Sequence, residues 1–262
     1  GKGMSNNKGD WLLEGRNIVK RFGPITSLDG VDIQIGRSGK AEVIGLLGDN
    51  GAGKSTLIKV LTGVHSPDEG QVSWEGQPIR MDSPRDAMKL GISTVYQDLG
   101  LVDTVSIYRN MFLGREEAVC SKVGPFRFLQ IDKARSETKK ALEKTGITVR
   151  SVDELAAKLS GGERQSIALA RAIYFDTKLL ILDEPFAALG LKETARVLEM
   201  INRAREEGVS VILIVHNMHH VYPIADRFIV LSHGKLIGKF DKAEKTLDEL
   251  SEFIVSGVAE TD

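Results

Sequence analysis

The sequence predicts an α/β fold, a parallel sheet wrapped by helices on both faces. Short apolar runs of strand length alternate with amphipathic segments of helical spacing along most of the chain. The residues with obvious chemistry fall where those strands end, which is where open α/β sheets place their ligands. The chain has 262 residues, 42% of them hydrophobic, ample core for one large domain or two small ones.

Each element has its own signal. AEVIGLL (41–47) reads as a buried strand, and KSTLIKVLT (54–62) then takes helical spacing and stops at Gly63. Ser83, Pro84 and Asp86 supply an N-cap, an N1 proline and a capping box for a helix that Gly91 closes. ISTVYQ (92–97) is a strand. The stretch 99–158 is mostly helical and charged, as in DKARSETKKALEKTG (132–146), and reads as an insertion within one domain. LSGGERQ (159–165) opens a helix, LLILD (179–183) is a strand, and a long helix covers about 191–207. VSVILIV (209–215) is a strand and FIVLSHGKLIGKF (228–240) a hairpin. The start, GKGMSNNKGD, is polar and glycine-rich, so residues 1–11 are expected to stay flexible; Met4 reads as the natural start, with residues 1–3 foreign to the fold.

Composition excludes several classes. The 35 basic and 36 acidic side chains leave a net charge of −1, without the basic surplus of nucleic-acid binders. A single cysteine, Cys120, cannot form an internal disulfide and points to a reducing compartment. No apolar run approaches the ~18 residues that span a bilayer, and there is no signal-peptide pattern.

The strongest chemical signal is GDNGAGKS (48–55), a glycine, four residues, then Gly53, Lys54 and Ser55, set between a strand and a helix. Gly48, Gly51 and Gly53 let the backbone curl so that successive N–H groups, from Asp49, Asn50 and Ala52 through Thr56, form an anion nest. Lys54 can reach the β and γ phosphates of a nucleotide, and the Ser55 hydroxyl can ligate Mg²⁺. A second half lies in LLILDEP: Asp183 is placed to hold the metal, and Glu184 to accept a proton from a water attacking the γ phosphate. LSGGERQ carries a third oddity. Ser160 and Glu163 form a capping box, yet Gly161 and Gly162 inside it weaken the helix start by roughly 1 kcal/mol each. Bared backbone at the positive end of a helix suits an anion.

In order and spacing, GDNGAGKS, LSGGERQ and LLILDEP together resemble the nucleotide-binding subunits of ABC transporters, and the likeness covers nearly the whole chain from about residue 12. The resemblance implies a P-loop NTPase (ABC ATPase) core at about 12–98 and 160–262, with an N-terminal antiparallel β portion and an α-helical subdomain inserted at about 99–159. It implies ATP and Mg²⁺ as cofactors. Two copies would face head to tail, so that Ser160, Gly161, Gly162 and Glu163 of one meet the γ phosphate of ATP on the other. It further implies Gln97, at the end of its strand, as a Mg²⁺ contact beside Ser55 and Asp183, His216 as the group touching the γ phosphate, and Phe22 as the ring stacked on adenine. His219, His220 and the two tryptophans match no motif and read as packing or surface. Two positions depart from the family pattern: Gly190 stands where an aspartate is usual, and Phe186 where a small hydroxyl residue follows the proline.

Residues 81–116 and HNMHHVYPIADR (216–227) look like the ATPases of bacterial monosaccharide importers. That implies a homodimer beneath integral-membrane permease subunits, served indirectly by a solute-binding protein. It would be peripheral on the cytoplasmic face of the inner membrane and soluble when isolated. Leu99, Leu101, Val102 and Met111 are candidates to line a groove for a permease helix. The alternatives are an ABC ATPase serving another solute, or a soluble non-transport ABC ATPase. A DNA-repair form would need a long coiled coil, whereas about a hundred residues without sustained heptads separate the phosphate loop from LSGGERQ.

Overall fold

The computed structural model describes residues 11–37, 39–187 and 189–257. The expected flexible start therefore lies outside the described residues, except that Trp11 already belongs to the first strand. The chain forms two compact units. One takes the chain up to Thr94, Thr177–Glu184 and everything from Ala204; the other takes Val95–Asp176 and Pro185–Arg203. The stretch 99–159, expected as an insertion, is thus part of a larger second unit.

In the first unit, β1 (Trp11–Phe22), β2 (Ile25–Arg37), β4 (Glu69–Trp74) and β5 (Gln77–Ile79) form an antiparallel sheet in the order β2-β1-β4-β5. Val31, Ile33 and Ile35 of β2 turn inward while Asp32 and Gln34 between them do not, the two-residue period of a sheet with one covered face. A second sheet has the order β12-β11-β3-β10-β9-β6. Its centre, β3 (Val43–Leu47), β9 (Leu179–Asp183), β10 (Ser210–Ile214) and β11 (Arg227–Ser232), is parallel. At one edge β12 (Lys235–Asp241) returns antiparallel, and β6 (Ile92–Val95) forms the other. Nearly every residue of β3, β9 and β10 is buried, which explains why these strands read as unbroken apolar runs. Ile33, Ile44, Leu57, Trp74, Ile181 and Ile212 belong to one core that joins the two sheets.

The helices of this unit are α1 (Lys54–Leu61), α2 (Pro84–Leu90), α7 (Met218–Val221) and α8 (Leu247–Ser256). The capping box expected at α2 does not form, because neither side chain accepts from the other residue's N–H. The Ser83 hydroxyl donates to the Asp86 carboxylate at 2.9 Å, and the Asp86 N–H goes to the Ser83 carbonyl at 3.0 Å. A complete box, unforeseen, opens α8 at Thr246 and Glu249. The strand expected over 92–97 ends at Val95, so Gln97 lies in an exposed bend rather than at a strand end.

The second unit contains α3 (Ile107–Phe112), α4 (Ile131–Lys144), α5 (Gly161–Tyr174) and most of α6 (Leu191–Glu206). It is less helical than expected, because β7 (Cys120–Val123) and β8 (Phe126–Leu129) pair as a hairpin. Gly124, at φ 62°, and Pro125 make its turn, a breaker pair with aromatic residues following that charge counting alone passes over. The segment 98–102 is tied down inside this unit. Arg171 donates to the carbonyls of Leu99 and Gly100 at 2.8 and 2.9 Å, and the Asn110 side chain bonds both the N–H and the carbonyl of Val102. Met111 is fully buried and Leu101 nearly so, which removes both from the groove expected for a permease helix; Val102 stays exposed.

Candidate active site

Three adjacent parallel strands build the site. β10 runs beside β3 on one side and β9 on the other, with Ile214 opposite Leu46 and Asp183. All three therefore end at one edge. β3 delivers the loop 48–55, β9 delivers Asp183 and Glu184, and β10 delivers His216 two residues past its end. A parallel sheet needs this register to bring together residues more than a hundred positions apart, and it places them at the carboxyl ends of its strands.

The loop needs its glycines for different reasons. Gly48, Gly51 and Gly53 have φ of 142°, 80° and 103°, the region that favours glycine. A Cβ on Gly48 would lie 2.2 Å from the Leu231 carbonyl oxygen, and one on Gly53 2.8 Å from that of Ser27, whereas Gly51 faces open space. Gly234, in the turn between β11 and β12, braces the loop from behind by donating to the Ala52 carbonyl at 2.9 Å. Ser27 contributes a hydrogen bond between its hydroxyl and that of Thr56, at 2.7 Å. Neither Ser27 nor Gly234 carried a signal in the sequence, since each acts across a tertiary approach.

Lys54 is 7% exposed and donates to the carbonyls of Gly48 and Asp49 at 2.5 and 2.9 Å. Burial pulls its ammonium below the usual lysine range, opposed by the charges of Glu184, Asp49 and Asp183. Burial likewise pushes the Asp183 carboxyl up, against the pull of Lys54 and then His216. Glu184 is pushed up for the same first reason, with His216 as the leading opposing group. Its Oε1 is buried without a hydrogen-bond partner, 3.3 Å from Nε2 of His216, which forms an ion pair only when the imidazole is protonated. Glu184 adopts φ 52°, a left-handed turn worth roughly 1–2 kcal/mol of strain, held by its N–H donating to the Ile214 carbonyl at 2.9 Å. Such a glutamate is a better base than a solvated one, because its raised pKa lies closer to neutral pH.

The oxygen donors here fit a hard divalent cation. Asp183 carries a desolvated carboxylate, the Ser55 hydroxyl is exposed at the loop, and a cation would relieve the burial that disfavours the ionised acid. Among the described residues no cluster of three or more His, Cys, Asp or Glu side chains could hold a metal by itself, so phosphate oxygens would complete the shell.

Phe22 ends β1 with 42% of its surface exposed, and its ring meets that of His65 in a T-shaped contact with centroids 5.2 Å apart, a neighbour the sequence did not single out. In the second unit, the box at α5 forms as read: Ser160 Oγ accepts from the Glu163 N–H at 3.3 Å, and Glu163 Oε2 accepts from the Ser160 N–H at 2.8 Å. Gly161 is exposed and Gly162 is buried. Gln97 belongs to this second unit as well.

The description "ABC transporter" matches residues 28–187 of the sequence, a span that contains the phosphate loop, LSGGERQ and Asp183–Glu184. The chain belongs to the ABC transporter family. This cassette is 44% identical to the xylose/arabinose import ATP-binding protein XylG of Sulfolobus acidocaldarius, over 94% of each chain. It is 41% identical to the fructose import ATP-binding protein FrcA of Rhizobium meliloti, over 93% of each. Among solved structures, it matches cbiO1 of Clostridium perfringens, part of the ABC transporter complex cbiONQ, with a TM-score of 0.75 and 27% identity, covering 94% of this chain and 93% of that one. Among the described residues of the ABC cassette, no helix is long and apolar enough to cross a membrane.

Proposed function

We propose that this ABC cassette hydrolyses ATP to power a membrane importer for a monosaccharide. The observation that carries the reading is the common edge of β3, β10 and β9, which gathers Lys54, Asp183, Glu184 and His216. Lys54 and the N–H groups of 48–56 bind the phosphates, and Phe22 stacks on the adenine. Ser55 and Asp183 hold Mg²⁺, with Gln97 assigned to it on the family resemblance; when bound, the cation neutralises charge on the β and γ phosphates. Glu184 takes the proton from the attacking water, and the imidazole of His216 steadies the γ phosphate. The leaving ADP oxygen needs no acid, because charge stabilisation by Lys54 and the loop suffices.

Ser160 through Glu163 complete the site of a second copy. Their capped helix start offers bared N–H groups to a γ phosphate, and Gly161 leaves room for it to approach. Monosaccharides are the proposed cargo because both sugar importers named above match over nearly their full length. Integral-membrane permease subunits are the proposed partners, with Val102 among the residues open to them, and the cassette would work on the cytoplasmic face of the membrane. The test is uptake of labelled pentoses and hexoses by cells lacking this gene, complemented with the wild type or with Glu184→Gln. Rescue of sugar uptake by the wild type alone is expected. Normal sugar uptake in the gene-deleted cells would overturn the cargo assignment.

A further inference from the structure

The two glycines that open α5 are not equivalent. A Cβ built on Gly161 meets nothing within 4 Å, whereas one on Gly162 would fall 2.3 Å from Cγ of Glu193 and 3.0 Å from its Cβ. Gly161 therefore leaves open space beside its Cα, room that an approaching anion would use. Gly162 lacks a side chain because the stem of Glu193, in the first turn of α6, lies against its Cα. The other end of the same side chain reaches Gly190, where an added Cβ would sit 2.6 Å from Glu193 Oε2. One glutamate thus fills the space at two glycines, Gly162 in the first turn of α5 and Gly190 just before α6. It also accounts for the departure at Gly190, because an aspartate there would set a second carboxylate against the first.

We propose that Glu193 is a positioning residue that fixes the start of α5 against Gly190 at the start of α6. The capping box makes the first turn of α5 stiff, and a rigid turn resting on a side chain transmits a push. A γ phosphate seated on Ser160–Gly162 then bears, through Glu193, on Gly190 and the start of α6. The inference rests on the shared-site reading given above. It makes Glu193 the link by which one copy's signature reports the partner's ATP to the start of its own α6.

The test uses Glu184→Gln as parent, so that turnover does not dissolve the ATP-held dimer. The central comparison is a double-mutant cycle of Glu193→Ala, Gly162→Ala and the two combined, with Glu193→Gln and Glu193→Asp beside it. Melting temperature without nucleotide reads the contact, and the ATP concentration for half-maximal dimerisation, by light scattering, reads its role. Gly162→Ala is expected to lower the melting temperature and to raise the ATP midpoint by roughly tenfold, a common scale for coupling between sites. Adding Glu193→Ala should recover most of both losses, since the new methyl enters the vacated space. Glu193→Ala alone should raise the ATP midpoint, while Glu193→Gln, which keeps the stem, should stay close to the parent. If Gly162→Ala does not fold, Glu193→Asp, one methylene shorter, reads the same midpoint. Strict additivity of the two alanines would refute the contact. A lowered melting temperature with an unmoved ATP midpoint in Glu193→Ala would reduce Glu193 to a structural residue. A parent that forms no ATP-dependent dimer would sink the shared-site reading and the reporting role with it, while the melting-temperature cycle still decides the contact.

Discussion

Replacing Glu184 by glutamine should make the protein more stable and nearly inactive at once. The side chain is largely buried, its Oε1 has no hydrogen-bond partner, and burial holds its pKa above the ordinary value of 4.5. Glutamine keeps the shape, removes the desolvated charge and leaves the phosphate loop untouched. Relief of the charge is expected on the order of 1 kcal/mol, or about 2–4 °C in melting temperature for a chain of this size. Loss of a general base costs about 10²–10⁴ in turnover, roughly 3–5 kcal/mol of barrier. The pH dependence follows from linkage. The folded state keeps the Glu184 proton to higher pH than the unfolded chain does, so wild-type stability falls as pH rises through and above the unfolded value of 4.5. The advantage of glutamine should therefore grow as pH rises above 4.5 and vanish well below it, where both states of the wild type are protonated. Scanning calorimetry across that range, without nucleotide, paired with phosphate release at saturating ATP, checks both halves. A lower melting temperature for the variant at neutral pH would show that burial of the Glu184 carboxylate does not destabilise the fold, and turnover within a few-fold of wild type would show that Glu184 is not the base.

Gly48→Ala should cost roughly 2–4 kcal/mol by urea denaturation and abolish nucleotide binding, because its methyl meets the Leu231 carbonyl, whereas Gly51→Ala, in open space, should cost only about 1–2 kcal/mol; equal costs would refute the packing described. Tyr174 is pushed up to about 12, by burial and then by the hydrogen bond it donates to Glu137 at 2.9 Å. The folded state holds that proton longer than the unfolded chain, so stability should fall between the ordinary 10.0 and about 12, and Tyr174→Phe should remove that slope together with the highest step in an ultraviolet titration. Mixing Lys54→Ala chains with Ser160→Arg chains should restore ATP hydrolysis that neither shows alone, because one site of the mixed dimer holds every intact part. Crosslinking identifies the mixed dimer, and an absence of ATP-dependent dimers from wild-type and Glu184→Gln chains would exclude a shared site.

Much of the site was legible because its pieces are local. The phosphate loop, the acidic pair after an apolar strand and the capping box each require fixed residues within a few positions, so spacing alone exposes them. The parallel strands were legible because burial on both faces leaves no polar residue in β3, β9 or β10 other than terminal Ser210 and Asp183. Spacing misled where charge masked a short hairpin, as at β7 and β8, and where Leu101 and Met111 were expected to line a groove for a permease helix. Met111 is core because the Asn110 side chain folds the preceding segment onto its helix, a contact that no periodicity encodes.

By itself the sequence determined the segments on which the proposed chemistry rests: a curled backbone with a lysine, a carboxylate pair after an apolar strand, and a helix start with bared backbone. Those are properties of short segments, set by backbone conformation and residue type. Only the tertiary structure decided how they act together. The register of β3, β10 and β9 brings Lys54, Asp183, Glu184 and His216 to one edge, and the shared burial there shifts the acids and the lysine in opposite directions. It also separated the two glycines of LSGGERQ, identical in sequence, into one open to solvent and one pressed against Glu193. Which atoms occupy the space beside a Cα depends on residues some thirty positions away, and the local sequence holds no record of them.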